Sequence, residues 1–287
     1  MHFFVTAVVL GVLVGAIYGL FSIGLGLSFG VLRMVNFAYG DFIAVAMYIA
    51  AEIILATHVS LYVAIPLVAL SFIPIGYFTY VVFFRGTGRR AEHDQLVISL
   101  GLSLLLETIL TNVFGTQPYA LYPTSIPSVH LSWLYLPRPQ LIAGLIALVL
   151  TVGIDLYLRR SRIGRAVRAV VADREVATTL GIDDRKVFTG AFVASMVVAG
   201  IAGAAMYGYL PVTPDVGVNF VLLGFIIVVL GGIGDLRGAF LAGICVGLAE
   251  TLTASYWSTN VQDIVPYALF IVGATMLPRG VLGKAVA

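Results

Sequence analysis

Apolar runs at 4–27, 42–56, 62–84, 96–114, 141–158, 187–210, 220–230, 239–253 and 264–277 alternate with short polar, glycine-rich or proline-rich segments along almost the whole chain. About 20 apolar residues in helical conformation cross the hydrocarbon core of a bilayer. The pattern therefore predicts about nine transmembrane helices. A count of eight to ten is compatible, because the run at 220–230 is short and the first run is followed by an irregular stretch. The expected fold class is an all-α polytopic membrane protein. Gly11, Gly15 and Gly19 recur every four residues and give the first helix a smooth face for a neighbour. Pro66 and Pro74 predict kinks in the third.

One stretch breaks the pattern. From Arg159 to Lys186 the chain holds eight of its sixteen Lys and Arg residues. The positive-inside bias places this loop in the cytoplasm, together with the end of the third span at Arg85, Arg89 and Arg90. Residues 115–140, with several Pro and Tyr, Trp133, one Arg and no Lys, are predicted to be external. Nine spans then put the amino terminus outside. Within the basic loop Ile163, Val167, Val170, Ala177 and Leu180 recur at helical spacing, with Arg162, Arg165, Arg168, Asp173 and Glu175 at other positions. This predicts an amphipathic helix on the membrane surface, ended by Gly181, with Asp183 or Asp184 capping the helix that follows. Asp155, four residues before Arg159, is expected to form an interfacial ion pair without a transport role.

Composition agrees with this picture. Hydrophobic residues make up 60% of the chain and charged residues 10%, and the mean hydropathy is +1.05, far from the balance of soluble domains. A net charge of +2 gives no case for nucleic-acid binding. The lone Cys245 excludes an intrachain disulfide, and His2, His58, His93 and His130 have no metal-ligand spacing. The amino terminus lacks the basic region and cleavage site of a signal peptide and is retained as the first span.

The sites of interest are the interruptions and the intramembrane acids. Gly24, Gly26 and Gly30, followed by Arg33, Asn36, Gly40 and Asp41, predict a bent or broken segment, and Gly231 and Gly232 in GGIGDLRG mark a second. Irregular backbone at membrane depth survives only where protein buries it or a cavity wets it, and paired interruptions in the two halves of a transporter point to its pathway. Glu107 lies inside the fourth run. Its twelve Leu, Ile, Val and Phe residues contribute roughly −5 kcal/mol to insertion against about +3 for the charge, so the helix still inserts. Asn36, Glu107, Glu250, Gly231 and Gly232 are the pathway candidates. A hydrogen-bonded Glu107 holding two helices is the competing structural reading.

Within EVATTLG, Glu175, Ala177 and Gly181 resemble the E-A-A-x-x-x-G core of the cytoplasmic loop by which ABC importer permeases dock their ATPases. Val176 departs from the second position, and the proline-containing tail of the fullest motif is missing. GLSFGVLRMVNFAYGDF, the basic loop, VVLGGIGDLRGAFLAG and LPRGVLGK resemble, in the same order, the smaller permease of branched-chain amino acid ABC importers. The resemblance implies a single transmembrane permease domain over 1–287 with its coupling loop at 159–187, in a bacterial inner membrane. It implies a second permease, two ATPase subunits and a periplasmic substrate-binding protein as partners, and no cofactor of its own. Glu175, Ala177 and Gly181, with Arg165 and Arg168 beside them, become the ATPase-coupling candidates. Branched-chain or other hydrophobic amino acids are the implied substrates, with urea, short amides and aromatic acids served by related permeases. No ATP site is encoded: GVLGKA has the wrong spacing and lacks the following Ser or Thr of a phosphate loop. The rival readings are a stand-alone proton-coupled secondary transporter using Glu107 or Glu250, and a membrane enzyme, for which no nucleophile, base or metal constellation can be assembled.

Overall fold

The computed structural model describes residues 2–32, 34–86, 92–120, 128–131 and 134–276. The expected contributions of Arg33, Arg89, Arg90, Trp133 and the carboxy-terminal tail lie outside these residues. Among the described residues, seven helices are long and apolar enough to cross a membrane. They are α1 (His2–Leu32), α2 (Tyr39–Thr57), α3 (Leu61–Thr79, continued by a π-helical turn over Tyr80–Phe84), α4 (Glu92–Phe114), α5 (Arg138–Arg160), α8 (Asp184–Met206) and α10 (Leu236–Tyr256). The short α6 (Arg162–Ala172) and α7 (Arg174–Thr179) fill the basic loop, and α11 (Thr259–Gln262) is a single turn. Two shorter apolar helices, α9 (Val216–Gly231) and α12 (Val265–Met276), coincide with the seventh and ninth expected runs. The protein is a multi-pass, all-α membrane protein.

The glycine strip on α1 does what its spacing suggests. Gly11, Gly15 and Gly19 lie against α10, where Gly243 and Gly247 answer them, so that a Cβ on Gly15 would come within 2.6 Å of Ile244 Cα. The small residues thus let the two backbones touch, which is how helices associate where lipid offers no hydrophobic drive. The main core gathers on α2. Tyr39, Phe42, Ile43, Met47 and Tyr48 are buried there, packed with Phe21, Phe72 and Phe192. Among the described residues, one end of the bundle brings together the basic loop, the end of α3 and the turns after α1 and α9: Gly30 of α1 touches Gly234, Arg237 reaches Asp155, and Arg85 lines the same cleft as Arg174. The opposite end is joined by a β-bridge between Tyr119 and Val212.

Four expectations need correction. Gly24, Gly26 and Gly30 do not break α1, which runs unbroken to Leu32. The irregular segment is confined to the residues just before Tyr39. Lost propensity at a glycine is small beside the packing gained: Gly24 leaves room for the Tyr39 hydroxyl and Gly30 for Gly234. The segment 115–140 is not all loop, since β1 (Ser128–Leu131) and β2 (Leu134–Pro137) pair antiparallel, Val129 opposite Leu136. The basic loop holds two helices rather than one, because Asp173 is extended and caps α7, accepting from Glu175 N and Val176 N. Its apolar positions also do not share one buried face: Val170 and Ala177 are buried, whereas Ile163 and Leu180 are exposed.

Candidate functional site

Tyr39 fixes the depth at which α2 begins. Its hydroxyl donates to Phe21 O at 3.0 Å and approaches Ser195 O at 3.4 Å. Phe21 lies eleven residues before the end of α1, and Ser195 eleven residues after the start of α8. At 1.5 Å per residue both carbonyls are roughly 16 Å from the basic end, about half of a ~30 Å hydrocarbon core. The chain therefore leaves α1 at the basic end, returns to mid-depth, and only then starts α2, which runs away from that end. The second half does the reverse. After α8 the chain turns at the opposite end, re-enters, and starts α9, which runs down to the basic end at Gly231. The two starts meet: a Cβ on Gly40 would strike Val221 N at 2.7 Å, one on Gly217 would lie 2.8 Å from Asp41 Cα, and the Phe37 and Phe225 rings lie 5.6 Å apart. Each half thus pairs a long helix with a helix beginning inside the membrane, in opposite directions. Inverted elements of this kind build the central sites of many transporters.

Around this crossing the polar groups are buried. Asn36 is fully buried, and neither atom of its amide has a hydrogen-bond partner among the described residues. Asp41 is buried in the first turn of α2, where it accepts a short hydrogen bond from Ser103 of α4. Gln95, Ser99, Ser103 and Glu107 follow at four-residue intervals on α4, and Ser99 Oγ contacts Val35 O at 3.4 Å. A polar stripe on α4 therefore faces the re-entrant segment and the start of α2. The structure brings Asn36 to the crossing and places Glu107, half-buried, one turn from Ser103. It does not bring Glu250 there. Glu250 sits on α10 beside the level of Gly11, about 15 Å along α1 from Phe21, and takes a hydrogen bond from Tyr18. Gly231 and Gly232 also lie elsewhere, in the turn at the basic end, where Gly231 packs on Gly238 and Ala239 and Gly232 has φ +98°. Ser103 and Gly217 are not among the residues the sequence singles out, and Asp41 stands there only as part of the interruption after Gly30, not as a pathway candidate. The four-residue spacing of the α4 stripe was the available signal.

The basic loop forms an arm folded against the end of α5. Ser161 caps α6 by accepting from Gly164 N at 2.9 Å, and Gly164 sits directly on Leu158 O. Arg168 donates to Leu158 O at 2.6 Å and Arg165 to Arg160 O at 3.4 Å, so both arginines satisfy carbonyls that α5 leaves free at its end. Glu175 and Val176 (53% exposed) of α7 and Leu180 (76% exposed), which caps its end, face outward. Ala177 faces inward and is 2% exposed. Gly181 closes α7 with φ +84°: its N–H bonds Thr178 O at 3.0 Å, and the Ile182 N–H bonds Ala177 O at 3.1 Å, the paired bonds of a Schellman ending. Asp183 caps α8, and the backbone N–H and ammonium of Lys186 hold its carboxyl below the usual carboxylate range. Arg174 pairs with Asp184 at 2.6 Å and lies over the Phe188 ring, which anchors α7 to α8.

Comparison with known proteins adds a family to this geometry. The branched-chain amino acid transport permease LivH of Salmonella typhimurium is 29% identical, over 96% of this chain and 94% of its own. BraD of Pseudomonas aeruginosa, also a high-affinity branched-chain amino acid transport system permease, is 27% identical over 99% and 97%. LivM of Escherichia coli, a permease of the same kind of system, is 30% identical over 54% of this chain and 35% of its own length. The family described as branched-chain amino acid transport system, permease component, matches residues 7–274. Membership follows from a match over nearly the whole chain: this protein belongs to the branched-chain amino acid ABC transport permease family, and is a transport component rather than an enzyme.

Proposed function

We propose that this chain is the permease subunit of an ATP-driven importer that carries branched-chain or related amino acids into the cytoplasm across a bacterial inner membrane. It works as a single transmembrane domain with its coupling loop at 159–187, beside a second permease, two ATPase subunits and a periplasmic binding protein. The observation that carries this reading is the arm. A short capped helix stands at the basic end with Val176 and Leu180 exposed beside Glu175, an apolar and acidic surface suited to a groove on another protein. The pathway runs by the crossing of α2 and α9, where Asn36 and the α4 stripe ending in Glu107 supply polar groups at mid-depth. Glu250 and the Gly231–Gly232 turn serve at the two ends of that route.

Co-expression with candidate ATPase subunits and reconstitution into vesicles tests the reading. Radiolabelled leucine should enter only when ATP, both ATPases and the binding protein are present. Uptake by this chain alone under a proton gradient would establish the secondary-transporter reading instead.

A further inference from the structure

Asp155 ties two helices, α5 and α10, at the basic end. Its Oδ1 accepts from Arg159 Nε at 2.9 Å within α5, and its Oδ2 accepts from Arg237 Nε at 3.2 Å and Nη2 at 2.9 Å, across 82 residues of chain. Arg237 stands in the first turn of α10, where Asp235 is the cap, accepting from Arg237 N and Gly238 N. A cation in a first turn opposes the helix dipole. Arg237 therefore does not serve its own helix, and the bidentate contact with Asp155 is what its position provides.

The bond is a polar tie between two elements that otherwise meet through apolar packing, where Ile154, Leu158, Val167 and Val171 share a cluster with Leu236 and Ala239. On one side, α6 is held to the last turn of α5 by Arg168, Arg165 and the Gly164 contact, so a displacement of the arm displaces the Asp155 end of α5. On the other side, Arg237 follows a turn in which Gly232 and Gly234 have φ +98° and +82° and Gly231 presses on Gly238. That turn is the end of α9, whose other end is the mid-depth crossing at Gly217. We infer that Asp155 and Arg237 form the directional polar link that, beside this apolar packing, transmits movement of the arm to the α9–α10 turn, and through α9 to the crossing. Asp155 is thus a positioning residue for transport. The inference rests on the permease reading above.

The test uses the complete importer in vesicles, and ATP-dependent leucine uptake by the unaltered protein first establishes the permease reading. Uptake is then compared with ATP hydrolysed in the same vesicles, a ratio that a purely structural role would leave unchanged. Asp155→Asn and Arg237→Gln should each lower leucine moved per ATP about tenfold, within the usual range of coupling between sites. Membrane level and ATPase recruitment should stay near normal, because half-exposed ion pairs add little to folding. The double variant should fall no lower than either single one, since both remove the same link. Asp155→Glu should recover most of the ratio, and Arg159→Gln, which removes only the bond within α5, should leave it intact. A ratio within about twofold of the unaltered protein in Arg237→Gln, or a loss near a hundredfold in the double variant, would show that the bond carries no coupling.

Discussion

The crossing of α2 and α9 and the arm at α7 both depend on a glycine, and for opposite reasons. At the crossing, a Cβ on Gly217 would strike Asp41, whose Cα is 2.8 Å away, so the residue is there for want of space. At the arm, nothing lies within 4 Å of where a Gly181 Cβ would stand, and the residue is there for its φ of +84°. The contrast separates two ways of failing. A crowded crossing threatens the fold, because two backbones must part. A strained arm threatens only the aim of one short helix, because the bundle beneath it packs without reference to that turn.

The largest effect is expected at the crossing. Gly217→Leu should cost at least about 3 kcal/mol, at the upper end of overpacking, since neighbouring backbone cannot rotate away as a side chain can. Membrane levels should fall sharply and α2 should become accessible to protease. Normal levels would show that the two half-helices separate easily and would remove the crossing as a fixed point.

A smaller effect belongs to the arm. Gly181→Val should strain the turn by about 1 to 3 kcal/mol, leaving membrane level near normal while ATPase subunits are lost from the purified complex. Gly181→Asn sharpens the comparison. Asparagine accepts the left-handed conformation at much lower cost, so it should retain most ATPase binding. Equal loss in both variants would mean that side-chain bulk, and not φ, governs this position.

Exposed surface on α7 ranks next. Val176→Ser with Leu180→Ser should change folding stability by no more than about 0.5 kcal/mol per site, yet reduce ATPase retention on an affinity column. Glu175→Lys should weaken retention more at low salt than at high salt, because a rim charge is screened. Unchanged retention in both would confine the arm to a solvated linker.

The smallest effect is a gain. Gly26 lies within α1, and its missing Cβ would meet only Val228 Cγ2 at 3.8 Å, an ordinary contact. Gly26→Ala should stabilise by about 0.5 to 1 kcal/mol through helix propensity, visible as a higher melting temperature in detergent. A loss would show that α1 bends there during transport.

Much of this was legible in the chain. Length and apolarity delimit the spans, and Gly181, Asp183 and the strip Gly11, Gly15 and Gly19 act as their spacing implies. The arginine clusters mark segments that gather at one end. Hydropathy does not report depth, however: α2 is apolar enough to pass for an ordinary span, and only the Tyr39 hydroxyl on Phe21 O reveals that it starts halfway. Glycine is equally ambiguous, since Gly26 within a helix and Gly232 in a turn look alike in sequence. Asp155 was read as a local partner of Arg159, because spacing along one helix is visible while Arg237 lies 82 residues away. Ala177 is a coupling candidate through the resemblance of EVATTLG to a docking loop. Being small, it packs inward, and Val176 and Leu180 are left to face out.

The meeting of two helix starts also has an electrical side. Each helix start carries about half a positive charge, so α2 and α9 together place about one positive charge at the centre of the membrane. Asp41, lying between them in the first turn of α2 and against Gly217 of α9, cancels that charge whenever its carboxyl is ionised. A voltage of 100 mV does about 2.3 kcal/mol of work on each elementary charge carried through it, but almost none on a centre that sums to zero. With Asp41 ionised, the moving parts near the crossing should be indifferent to membrane potential, and leucine uptake in vesicles set at different potassium diffusion potentials should proceed at one rate. A steep dependence on potential would show that Asp41 does not balance the two helix starts.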